Sequence, residues 1–267
     1  MNLIELSWWQ LALAAALVLA LAVATHLARL GVGRSLLVAA LRTTVQLALV
    51  GFVLEALFSA ATLGWVALMA TVMLALAGRE VIARQKRPLK GLWAPALGTL
   101  SMFVSAFAVT VLTLTVIVGP TPWYEPQYAI PLLGMMLGNT MTGVALGLDR
   151  LTDSVWRQRA VIESRLMLGE RWQQAVGDAR RDAIRSGMIP IINAMAAAGV
   201  VSLPGMMTGQ ILSGTAPALA VKYQILIMFT ITAGTGFGTL AAVIAASRRL
   251  FDQRERLRLD RLAPPNA

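Results

Sequence analysis

The stretch Ser186–Gly214, SGMIPIINAMAAAGVVSLPGMMTGQILSG, decides how this chain is read. It is apolar enough to enter a bilayer, yet it carries Pro190, Asn193, Gly199, Pro204, Gly205 and Gln210. Helix breakers and amides at membrane depth are accommodated where neighbouring protein or a watery cavity satisfies the freed polar groups. Such a stretch is either a kinked packing helix or the lining of a pathway. The surrounding sequence weighs between the two.

That surrounding sequence is itself a membrane sequence. Of 267 residues, 57% are hydrophobic and only 13% charged, with a mean hydropathy of +0.70. Soluble domains carry about 25% charged residues. The apolar residues come in runs of twenty or more, which predicts an all-α, polytopic membrane protein. The chain has no cysteine, which excludes disulfides, thiolate zinc sites and cysteine nucleophiles. A single histidine, His26, leaves little scope for a histidine-based metal centre. No catalytic constellation and no cofactor are expected.

Working outward, the hydropathy predicts seven spans, over about 9–29, 35–58, 63–78, 92–118, 128–148, 186–214 and 219–247. Trp8 and Trp9 mark an interface at the start, and the first span lacks the basic residues that open a signal peptide. Of the 23 Lys and Arg residues, 21 fall after the first, third, fifth and seventh spans. The exceptions are Arg42, inside the second span, and Lys222, at the start of the seventh. The positive-inside rule then places the N-terminus outside and the C-terminus in the cytoplasm. The net charge of +10 is thereby topological and lipid-facing, and nucleic-acid binding is not expected. The whole chain reads as one transmembrane domain, 1–267, with a charged loop at 149–185 and a basic tail at 248–267.

The loop Asp149–Arg185 is too long for a turn and too charged to insert. Val155, Ile162, Leu166 and Leu168 form a loose apolar stripe among Arg157, Arg159, Glu163, Arg165 and Arg171. One reading is an interfacial helix on anionic lipid; the other is a docking helix for a cytoplasmic partner. Within it, ESRLMLGERWQQAV (Glu163–Val176) resembles the cytoplasmic loop of ABC-transporter permeases, with Glu163 and Gly169 at the expected spacing. The Ile-x-Leu-Pro that usually closes that motif is absent at its usual distance. No G-x-x-x-x-G-K-[ST] occurs, and none of the three lysines follows a glycine. If the match holds, ATP must be hydrolysed by another subunit.

Further stretches agree: RTTVQLALVGFVL (Arg42–Leu54), GREVIARQKRPLKG (Gly78–Gly91), IPLLGMMLGNTMTGVALGLDRL (Ile130–Leu151), LPGMMTGQILSG (Leu203–Gly214) and VKYQILIMF (Val221–Phe229). Together these resemble the FetB family of bacterial iron-export permeases, whose plant relatives are linked to aluminium tolerance. The resemblance implies a multi-pass inner-membrane permease, two copies facing one another, and a separate cytoplasmic ATP-binding-cassette ATPase. It further implies that Glu163, Arg165, Gly169 and Arg171 belong to the loop that takes force from that ATPase.

The residues offer candidates for a pathway. Pro131–Gly143 (PLLGMMLGNTMTG) and Ser202–Gly214 (SLPGMMTGQILSG) share six identities in thirteen. Each holds a G-x-x-x-G and an amide four residues after a methionine, Met135/Asn139 and Met206/Gln210, hence on one helical face. An internal repeat and coincidence in a low-diversity alphabet both account for this. Met135, Met136, Met206 and Met207 are soft thioethers that suit Cu(I) better than Fe(II) or Al(III), and equally serve as gap-fillers. Asn139, Asn193 and Gln210 supply amide oxygens for a hydrated ion or a chelate. Arg42, one turn from Gln46, reads as a snorkelling structural arginine or as an anion or gating contact.

Two rival classes stay open. One is an ion-gradient-driven carrier or channel, against which stands the shortage of intramembrane Asp, Glu and His. The other is a membrane scaffold that transports nothing.

Overall fold

A computed structural model describes residues 7–60 and 62–264. The first six residues of the uncharged-by-Lys/Arg N-terminal segment, Ala61 and the last three residues of the basic tail lie outside the described residues. The described chain is helical, with isolated bridges and no strand.

Six helices are long and apolar enough to cross a membrane. They are α1 (Trp8–Leu27), α2 (Gly33–Ala60), α3 (Leu63–Ala83), α4 (Trp93–Val118), α5 (Pro126–Arg157) and, after four other elements have intervened, the last helix (Pro217–Arg249). The intervening elements are α6 (Arg159–Met167), α7 (Trp172–Ala175), α8 (Gly177–Ala197), as long as α3 but charged over its first half, and α9 (Gly205–Leu212), so the last helix is α10. The predicted spans agree with the long helices to within a few residues at their outer ends. The exception is Ser186–Gly214, which is split between α8 and α9.

The chain falls into two units. The first comprises the residues up to Thr62 with Leu212–Gly214. Its α1 and α2 pack on one another across a tight turn in which Arg29 and Gly31 have φ of 51° and 70°. Gly33 permits the approach, because a Cβ there would lie 3.0 Å from the Ala22 carbonyl oxygen. Almost every side chain of this hairpin is exposed, Arg42 and Gln46 included.

The second unit, 63–211 with 215–267, holds the core. Here α5 lies among α3, α4, α8 and α10. The reason is compositional: α5 and α10 each carry small residues at helical spacing, and small residues let backbones approach in a bilayer, where apolar burial alone gives no drive. The tightest crossing joins three helices. A Cβ on Gly187 of α8 would lie 2.5 Å from the Gly143 oxygen of α5, and one on Gly143 would lie 2.7 Å from Thr239 Oγ1 of α10. The G-x-x-x-G glycines Gly138, Gly205 and Gly209 have nothing within 4 Å of a Cβ position, so close packing is not their role here. In α4 the segments Phe103–Phe107 and Thr113–Val118 are π-helical, a local underwinding that recurs at functional sites.

With 32 residues, α5 is roughly 48 Å long, against a hydrocarbon thickness of about 30 Å. Its charged end, Asp149–Arg157, therefore projects beyond the apolar zone. The loop between α3 and α4 is fastened to that end: the Lys86 amide donates to Asp149 Oδ1 (2.7 Å), and the Arg87 guanidinium stacks 4.1 Å above the Trp156 ring.

The tail that sequence reads as a basic, lipid-facing extension is a folded hook. It leaves α10 at Leu250, turns at Asp252–Arg256 and returns to the α3–α4 loop. The Lys90 amide donates to the Arg261 oxygen (2.7 Å) and the Ala263 amide to the Pro88 oxygen (2.8 Å). Arg261 donates to the carbonyls of Arg249 (2.6 Å) and Phe251 (3.0 Å). Backbone amides and the guanidinium of Arg256 hold the Asp252 carboxyl down at about 2, the largest cause being the Arg256 amide.

Candidate functional site

The break between α8 and α9 organises the site. The helix runs straight through Pro190 and stops at Ala197, where Gly199 adopts φ of 82° and Pro204 bars continuation. The loop closes on itself: the Gly199 amide donates to the Ser202 oxygen (2.9 Å) and the Ser202 amide to the Ala197 oxygen (3.0 Å). Internal pairing of this kind is what permits irregular backbone at membrane depth.

A cavity lies on each side of the short helix that follows. The first, about 270 Å³, is bordered by Thr113 of α4, Tyr128 and Met135 of α5, Met206 and Gln210 of α9, and Tyr223 of α10. Its wall includes the second π-helical segment of α4. Thioethers, phenols and the amides of Gln127 and Gln210 line it without a carboxylate. Such a lining suits a hydrogen-bonding complex or a weakly held ion better than a naked trivalent cation. Among the described residues, no group of three or more His, Cys, Asp or Glu is placed to hold a metal ion. The second cavity, about 570 Å³, is bordered by Met195, Gly199, Met207, Gln224 and Met228 among apolar neighbours.

The predicted pathway residues are thus distributed unevenly. Met135, Met206 and Gln210 meet at the first cavity, and Met207 lies at the second. Met136 is fully buried, with its methyl packed against Gly234 of α10, a core position. Asn139 is exposed and its Nδ2 donates to the Met135 oxygen (2.9 Å), so it steadies the α5 backbone beside the cavity without lining it. Asn193 is exposed on α8, and Arg42 belongs to the other unit. Sequence reasoning missed Thr113, Tyr128 and Tyr223. Their only prior signal was polarity within otherwise apolar runs.

The predicted coupling loop is a compact helical platform. Its α6 ends in a Schellman closure: Gly169 has φ of 91°, its amide donates to the Leu166 oxygen (3.0 Å), and the Glu170 amide donates to the Arg165 oxygen (3.1 Å). Only glycine enters that conformation without strain. The closure leaves Met167 and Leu168 at 81% and 85% exposure, beside exposed Glu163 and Arg171. Arg165 is turned the other way, pairing with Asp178 at the start of α8 (2.9 Å). That hydrogen bond, with Arg181 alongside, holds the Asp178 carboxyl below its usual range. From the tail hook, Glu255 Oε2 accepts from the Trp172 amide (3.0 Å), and Phe251 packs on the Trp172 ring. Platform, hook and α8 are therefore one connected assembly.

Comparison with known proteins agrees with this architecture. The model of the uncharacterised protein family UPF0014 matches residues 8–251. The UPF0014 membrane protein slr1647 of Synechocystis is 38% identical over 96% of this chain and 98% of its own length. The probable iron export permease protein FetB of Escherichia coli is 32% identical, over 92% of this chain and 93% of that one. The protein ALUMINUM SENSITIVE 3 of Arabidopsis thaliana is 31% identical over 70% of this chain and 66% of its own. No solved structure matches. Six membrane-length helices, the broken α8–α9 element and these full-length similarities lead to one conclusion: the chain is a multi-pass membrane protein belonging to the UPF0014 family.

Proposed function

We propose that the chain is the membrane-spanning permease subunit of an ABC transporter that exports iron, or another metal ion or its complex, from a bacterial cytoplasm across the inner membrane. ATP is hydrolysed by a separate cytoplasmic ATP-binding-cassette subunit, and two permease copies face one another. The relative named as a probable iron export permease supports the cargo class and direction. The one observation that carries the coupling is continuity: the α6–α7 platform leads, through the Arg165–Asp178 pair, into α8, and α8 ends at the break flanked by both cavities.

In this reading Met167 and Leu168 enter an apolar groove of the ATPase, with Glu163 and Arg171 at the rim. Gly169 sets the turn that presents them, and Arg165 passes displacement to α8. Cargo moves past Met135, Met206 and Gln210. Asn139 and Asn193, exposed amides on α5 and α8, face the second copy, where their polar groups escape lipid. Arg42, nine residues into α2, snorkels toward the cytoplasmic headgroups.

The test is capture of a co-expressed ATP-binding-cassette subunit by the tagged chain in detergent. A Met167→Asp, Leu168→Asp double variant, which removes both anchors, is expected to weaken capture by about tenfold or more, and Glu163→Arg, which reverses a rim charge, to weaken it less. Undiminished capture by both Glu163→Arg and a Met167→Asp, Leu168→Asp double variant would refute the docking site.

A further inference from the structure

The second cavity has a composition that transport coupling does not explain. Three methionines reach it from three helices: Met195 from the end of α8, Met207 from α9 and Met228 from the middle of α10. Met207 is buried and the other two are half-buried. The Thr232 hydroxyl lies 2.8 Å from the Met195 sulfur and 2.7 Å from the Met228 carbonyl oxygen, which restrains the first thioether at the cavity wall. The same wall holds Gln224, only 8% exposed, whose Oε1 accepts no hydrogen bond. A buried acceptor without a partner costs stability, about 1–3 kcal/mol, unless a donor or a cation meets it.

We propose that this cavity is a binding site for a soft monovalent cation, Cu(I) or Ag(I), held by the thioethers of Met195, Met207 and Met228, with the Gln224 carbonyl as an outer oxygen. The charge logic is specific. Three neutral thioethers and an apolar surround cannot offset the desolvation of a hard divalent or trivalent ion. A singly charged, weakly hydrated, polarisable ion loses less on leaving water and gains more from sulfur. The site borders the Ala198–Pro204 break, so occupancy would tie α9 to α8 and α10 at the point where the broken helix is free to bend. The proposal is independent of the export reading, because binding needs no ATPase and no cargo.

Ag(I) is the suitable probe, being stable in air and closed-shell, and the chain offers it no cysteine and one histidine. Equilibrium titration of the full chain in detergent, in chloride-free buffer, is compared with Met→Leu variants, which conserve volume and keep the fold. Met195→Leu, Met207→Leu and Met228→Leu are each expected to weaken binding by about tenfold or more. A Met102→Leu variant, altered at a buried core methionine of α4 that borders neither cavity, is expected to bind as the native chain does. Equal affinity in the native chain and the Met195→Leu, Met207→Leu, Met228→Leu triple variant would overturn the proposal. If the triple variant does not fold, X-ray absorption of the native chain loaded with Cu(I) decides. A sulfur shell supports the site, and a shell of nitrogen and oxygen alone refutes it.

Discussion

Met206 and Met207, neighbours in α9, border different cavities: Met206 shares one with Met135 and Gln210, Met207 the other with Met195 and Met228. Successive helical residues lie about 100° apart, so a short helix set between two hollows presents one side chain to each. Filling one hollow should therefore leave the other intact. Met206→Trp is expected to abolish metal efflux while capture of the ATPase stays at the native level. Efflux unaffected by Met206→Trp, measured as metal retained by cells expressing the complex, would remove the first cavity from the pathway.

The three-helix crossing makes a second, purely structural prediction. Gly187→Ala would drive a methyl to 2.5 Å from the Gly143 oxygen, whereas Gly205→Ala meets nothing within 4 Å. Gly187→Ala should cost about 1–3 kcal/mol through overpacking. Thermal unfolding in detergent should show a clear drop for Gly187→Ala and little change for Gly205→Ala.

At the platform, Gly169 occupies φ of 91°, where a β-branched side chain is strained by about 1–3 kcal/mol. Gly169→Val should unwind the end of α6 and misdirect Met167 and Leu168. Capture of the ATPase is expected to fall with little change in melting temperature, because the turn is exposed and makes few core contacts.

The hook supplies a prediction in pH. Asp252 has its carboxyl lowered to about 2, chiefly by the Arg256 amide, against an ordinary value of 3.8. A depressed folded value means the stabilisation is complete above the ordinary value and is lost as pH falls from there through about 2. Pepsin cleavage between Leu257 and Leu262, scaled to a free peptide of that sequence, should be slow near pH ~4.5 and accelerate toward pH ~2. Asp252→Asn should be cleaved faster than the native chain near pH ~4.5 and show a smaller rise toward pH ~2, the remaining rise belonging to Asp260, whose carboxyl Arg258 also holds below its usual range.

Much of this architecture was legible in residue order. Runs of apolar residues and the alternation of basic loops located five spans within a few residues, because helix length and bilayer thickness leave little freedom. The sixth was read as interrupted by Pro190, Gly199, Pro204 and Gly205 together; Gly199 and Pro204 make the break, and Pro190 is absorbed within α8. Close packing was sought at the pairs Gly134/Gly138 and Gly205/Gly209, yet Gly143 and Gly187 carry the tightest crossing, because which face of a helix meets which neighbour is a tertiary choice. The hook was invisible for the same reason. Its arginines, at 254, 256, 258 and 261, look like a lipid-facing cluster in sequence, but Asp252 and Asp260 accept two of them in ion pairs. Asn139 and Gln210 align in the apparent repeat, yet only Gln210 lines the cavity, since α5 is continuous where α9 is a short separate helix.

The measurement that bears most directly on the central claim is metal movement into sealed proteoliposomes oriented with the platform outward, containing this chain with or without the ATP-binding-cassette subunit proposed as its partner. Iron should accumulate against its gradient only when both subunits and ATP are present, and the Met167→Asp, Leu168→Asp double variant should abolish it. Uphill accumulation by the chain alone, or accumulation driven by an ion gradient without ATP, would contradict the account.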